Sequence, residues 1–115
     1  MPRIRTVKPS FWSSRTAAQV SRDARLLALG LISFADDQGR FLASPSAVIG
    51  YVYPHDDDVT TAKFNRWFGE LVKAGFVVTY EDGRVKYGVL NFKHQRISHP
   101  QPSTYPAPPQ DGLWA

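Results

Sequence analysis

An α+β fold in the order helix, strand, helix, helix, strand, strand is what three stretches of this sequence predict. Residues 60–74 carry apolar side chains at Phe64, Trp67, Phe68, Leu71 and Val72, the i, i+3, i+4, i+7, i+8 recurrence of an amphipathic helix. Gly75 follows where a left-handed residue would end that helix, just after Lys73, a cation suited to a last turn. Two strand-like runs come next, at 76–80 and 85–90. Asp82-Gly83 lies between them as the hairpin turn, because both residues tolerate positive φ.

The other elements follow from local signals. Residues 1–13 read as an extended basic arm: Pro2 and Pro9 resist helix, and Phe11-Trp12 are expected to tuck into the core. Ser21 is an N-cap for a helix over residues 22–35, with a shorter helical turn expected before it, over residues 15–20. The apolar positions of the longer helix wrap more than one face, so it is expected to be central and largely buried. Asp36-Asp37-Gln38-Gly39 closes it, and residues 40–43 read as a short strand. Ser44-Pro45 is a helix entry, a capping serine followed by proline at the first helical position. That helix stops before Pro54, and Asp58 or Thr60 caps the next one. The reading is therefore a single winged helix-turn-helix domain over residues 14–98, with the third helix as the candidate reader. Five prolines between 100 and 109 predict that residues 99–115 form an extended, poorly ordered tail.

Composition narrows the function. With 115 residues and 43% hydrophobic content the chain suffices for one core and needs no staples. Cysteine is absent, so neither a disulfide nor a thiolate metal site is possible. No apolar leader and no run of eighteen apolar residues is present, so the expected location is the cytoplasm and no membrane partner is expected. The net charge of +4 is unevenly spread. Arg3, Arg5, Lys8, Arg15, Arg22 and Arg25 crowd the first 25 residues, whereas acids gather at Asp36-Asp37 and Asp56-Asp57-Asp58. Segregation of this kind implies one basic face and one neutral or acidic face, and the basic net charge points to a polyanionic partner.

Four stretches resemble a group of phage and prophage proteins of actinobacteria. They are Arg3-Ile4-Arg5-Thr6-Val7-Lys8-Pro9-Ser10-Phe11-Trp12, Ser21-Arg22-Asp23-Ala24-Arg25-Leu26-Leu27, Phe34-Ala35-Asp36-Asp37-Gln38-Gly39-Arg40 and Lys93-His94-Gln95-Arg96-Ile97. The likeness spans residues 3–103. It implies a winged-helix DNA-binding protein of the host bacterial cell, linked to replication initiation or transcriptional regulation.

Candidate contacts follow from side-chain chemistry. Opposite the apolar stripe of the third helix lie Thr61, Lys63, Asn65, Arg66 and Lys73. Asn pairs bidentately with adenine and Arg with guanine, so Asn65 and Arg66 are assigned to base edges, Thr61 and Lys63 to the backbone. Arg84 and Lys86 flank the hairpin tip, where a wing meets the minor groove or phosphates. Lys93 and Arg96 would extend the phosphate track. Two readings stay open for Arg3 and Arg5: an arm that enters a minor groove, or one that lies along the domain, anchored by Ile4 and Trp12.

No catalytic residue, metal or cofactor is expected. His55-Asp56-Asp57-Asp58 lacks the spacing and glycine of a calcium loop, His94 and His99 have no zinc pattern, and no phosphate-binding or nucleophile motif occurs. The competing reading is a protein–protein adaptor that recruits a phage or host replication or transcription protein. Trp67, Tyr51 and Tyr53 would line its surface, and the proline-rich tail would offer a second docking segment. A homodimer reading two half-sites also stays open, since no heptad announces an interface.

Overall fold

Every long helix is opened by a hydroxyl side chain. The computed structural model describes residues 4–91 and 102–109. Ser21 accepts from the Ala24 amide and starts α3 (Arg22–Phe34), Ser44 accepts from Ala47 and starts α4 (Pro45–Val52), and Thr60 accepts from Lys63 and starts α5 (Thr61–Ala74). Each bond satisfies one of the amides that the first helical turn leaves without an intrahelical acceptor. Thr60 rather than Asp58 is thus the cap of α5. Two single-turn helices precede them, α1 (Ser10–Ser13) and α2 (Arg15–Ala18). The arm is therefore not extended throughout. Pro9 sits in a helical conformation at the entry of α1, where its missing amide is no loss.

Gly75 ends α5 at φ +88°, and the Phe76 amide reaches back to the Leu71 carbonyl while Gly75 bonds Val72. That pair of bonds is the Schellman arrangement, and it turns the chain straight into the hairpin. Strands β1 (Arg40–Leu42), β2 (Val77–Asp82) and β3 (Val85–Leu90) form an antiparallel sheet in the order β1-β3-β2. Asp82 pairs with Val85, so the two turn residues are Gly83 and Arg84, one place later than the sequence suggested. Gly83 alone has positive φ, at +66°, which places glycine first in a primed turn. Arg84 consequently occupies the tip itself.

Three helices cover one face of this sheet. Leu27, Leu31, Val48, Phe64 and Leu71 pack against Phe41, Val77 and Leu90, all at 3% exposure or less. The other face is covered by the proline-rich tail. Val89 and Tyr80 are buried outside the main core. Tyr105 packs its ring on Tyr87, and the Tyr80 hydroxyl donates to the Pro106 carbonyl at 2.8 Å. Arg40 donates to the Tyr105 carbonyl, and the Ser103 hydroxyl bonds the Asp36 carboxylate. Residues 102–109 are therefore docked, in contrast to the poorly ordered tail expected. Proline favours the extended backbone that lies flat on a sheet; the tyrosines supply the contact area.

No helix among the described residues is long and apolar enough to cross a membrane.

Candidate nucleic-acid interface

Helix α5 divides cleanly by burial. Phe64, Trp67, Phe68 and Leu71 are at most 7% exposed, and Phe64 and Phe68 stack at 5.3 Å. At about 100° per residue, the direction opposite that stripe runs along Ala62, Gly69 and Lys73, flanked by Asn65 and Arg66. All five are exposed, and a Cβ placed on Gly69 would meet nothing within 4 Å. Two small residues among three polar ones leave a surface that another molecule can approach closely. Thr61 and Val72 border it on one side; Lys63 and Glu70 border it on the other.

The charge of this surface is set by where its one acid goes. Glu70 turns away to α3, accepting from the Ser21 amide at 2.8 Å and the Ser21 hydroxyl at 2.9 Å. Both carboxylate oxygens are occupied, so its charge completes the N-terminus of α3 rather than cancelling Arg66. Among the described residues Arg66 and Lys73 have no ion-pair partner. Lys63 approaches Asp58 at 3.8 Å, both solvent-exposed, a pair that salt and water screen heavily. The acidic run 56–58 precedes the first turn, which makes that end the least favourable place for a phosphate. Thr61 is exposed there as the first helical residue.

Arg84 and Lys86 are exposed on the hairpin, with Lys86 directly across from Glu81. Arg84 owes its position at the tip to the two-residue turn, a shift that the Asp-Gly signal could not reveal. Arg5 does not belong to this surface. Its guanidinium is paired with Asp37 and bonded to the Ala35 carbonyl, so the arm lies along the domain. Neither anchor expected for that arrangement holds it: Ile4 is 99% exposed and Trp12 58%, and of the Phe11-Trp12 pair only Phe11 enters the core. Arg3, Lys93 and Arg96 lie outside the described residues, as do His94 and His99.

The surface expected for an adaptor is likewise altered. Trp67 and Tyr53 are buried against each other at 5.7 Å, and Tyr51 is tied to Ser33 through its hydroxyl. Burial raises the Tyr53 phenol to about 12, with Asp23 and Asp56 adding to the effect. Such a group stays neutral and serves packing.

Comparison with protein-family models, with curated proteins and with solved structures found no match to this chain.

Proposed function

We propose that this chain is a non-enzymatic winged helix-turn-helix module that binds double-stranded DNA, with α5 in the major groove and the β2–β3 hairpin as the wing. The strand order β1-β3-β2 and the run of α3, α4 and α5 supply the parts of that architecture. One observation carries the functional reading: the outward side of α5 is smooth, cationic and free of carboxylate, because Glu70 is bonded to Ser21. Asn65 and Arg66 are the base readers in this scheme. Lys63, Lys73, Arg84 and Lys86 meet phosphates, and Thr61 adds a hydroxyl donor. The role is replication initiation or transcriptional control of phage type, in the cytoplasm of a bacterial host.

Anisotropy titration of a labelled duplex at several salt concentrations tests this. Lys63, Lys73, Arg84 and Lys86 together would neutralise about four phosphates, and log K should then fall with log salt at a slope of roughly −3 to −4. Arg66→Ala should weaken binding about tenfold or more, in the range of 1–3 kcal/mol for a base contact. Salt-independent binding, or full affinity in both Arg66→Ala and Lys73→Ala, would remove α5 from the interface.

A further inference from the structure

Helix α3 carries a second stripe on the side away from the core. Ala24, Leu27, Ala28, Leu31 and Ile32 pack inward, whereas Arg22, Arg25, Leu26 and Leu29 recur at i, i+3, i+4, i+7 on the other side, with Leu29 half-buried and still touching the core. With Trp12 of α1, these four line a concavity of about 280 Å³. The helix is therefore not apolar all round because it is enclosed. Leu26 is 51% exposed and Trp12 58%, two large apolar side chains left in water side by side. Grouped exposure of this kind marks a contact surface more often than scattered exposure does.

The charges around the concavity have one sign. Among the described residues its lining holds two guanidinium groups and no carboxylate. Among the described residues neither Arg22 nor Arg25 has an ion-pair partner, and the Arg25 Nε is shut off from solvent without a hydrogen-bond acceptor.

Apolar filling and carboxylate rim are wanted in one ligand, and an acidic amphipathic protein segment offers both. We infer that this face docks such a segment from a partner protein. A leucine or phenylalanine side chain of the partner fills the space between Trp12, Leu26 and Leu29. Its aspartate or glutamate residues pair with Arg22 and Arg25, whose planar forks suit carboxylates. Single-stranded nucleic acid has the anionic charge but needs a row of aromatic platforms for successive bases, and among the described residues this concavity has Trp12 alone. Helix α3 packs against α5 through its inward stripe, so the docking face looks away from α5. Partner and duplex are held on different sides of the domain, and the docking does not depend on the DNA reading being right.

The probe is a labelled synthetic peptide of about 15 residues, with leucines at helical spacing flanked by glutamates. A second peptide has lysine in place of each glutamate. Both are titrated against the full chain by fluorescence anisotropy. The glutamate peptide should bind saturably, and its lysine counterpart about tenfold more weakly or worse. Arg22→Glu should abolish the difference. Leu26→Glu, at a half-exposed position that folding does not need, should lower affinity by a similar factor while the circular dichroism spectrum stays that of the parent. Equal binding of the two peptides, binding by neither, or undiminished affinity in both variants overturns the proposal. So does displacement of the peptide by a thymidine oligomer, or a dimer that Leu26→Glu converts to monomer, because either gives the face a different occupant.

Discussion

The guanidinium of Arg5 meets the carboxylate of Asp37 at 2.8 Å, and the two side chains are only 7% and 5% exposed. A second bond, from Arg5 to the Ala35 carbonyl at 3.2 Å, fixes the same group to the end of α3. The pair fastens the N-terminal arm to the loop that precedes β1. Removing one member takes a close partner from a charge that is shielded from water. Arg5→Ala should therefore be destabilising, by up to about 3–5 kcal/mol, whereas the double substitution Arg5→Met with Asp37→Leu should lie closer to the parent. Urea denaturation of the two singles and the double measures this. Equal losses in the double and the singles would show that the ionic contact is not what holds the arm.

Gly88 lies opposite Phe41 in the β1–β3 register, and a Cβ there would come within 2.4 Å of the Phe41 ring. The ring is buried on all sides and cannot swing away. Gly88→Ala should lose about 1–3 kcal/mol through overpacking. Gly69→Ala is the natural contrast, since its Cβ would enter open space and alanine is the better helix former. That change should gain up to about 1 kcal/mol. Thermal unfolding of both variants should move in opposite directions.

The Tyr53 hydroxyl, raised to about 12 chiefly by burial, gives an alkaline signature. Below pH about 10 the phenol is protonated in folded and unfolded chains alike, and stability does not respond to it. Between about 10 and 12 the unfolded chain releases the proton first, so stability falls as pH rises through that window. Tyr53→Phe should flatten this part of the stability profile while leaving neutral pH nearly unchanged. A profile that keeps its slope in the variant would assign the effect to another group.

The tail's attachment can be tested at one atom. Tyr80→Phe deletes the bond to the Pro106 carbonyl and leaves a partly buried acceptor, which should cost about 1 kcal/mol. Burial raises the Tyr80 phenol as well, so the hydroxyl remains a donor at neutral pH. Tyr105→Ala should add a further loss by uncovering Tyr87. A chain shortened before Pro102 should melt lower and show Tyr80 and Tyr87 accessible to a water-soluble quencher.

What the sequence disclosed was whatever neighbours decide. The caps Ser21, Ser44 and Thr60, the αL residue Gly75 and the stripe through Phe64 and Leu71 depend on residues within one or two turns, and each appears where local pattern placed it. Val72 fits the same periodicity yet is 37% exposed, because the apolar arc at its margin has no neighbour to meet. The turn at Gly83-Arg84 moved by one residue, since pairing with β3 and not turn propensity sets strand ends. Contacts between distant segments left no local trace. Arg5 with Asp37, Glu70 with Ser21 and Tyr80 with Pro106 each join segments that nothing in the intervening chain announces. Trp12 beside Phe11 makes the same point for burial: two adjacent aromatic residues on one helical turn meet edge to face, only Phe11 is buried, and composition cannot say which goes inside.

Asp36 sits where two of these segments meet. One carboxylate oxygen accepts from the amides of Gln38 and Arg40, and the other is bonded by the Ser103 hydroxyl, 67 positions along the chain. A single side chain thus clasps its own loop and a remote strand of prolines. The isotope-exchange rates of those two amides become a built-in gauge: they should quicken whenever residues 102–109 lift from the sheet, long before the helices loosen.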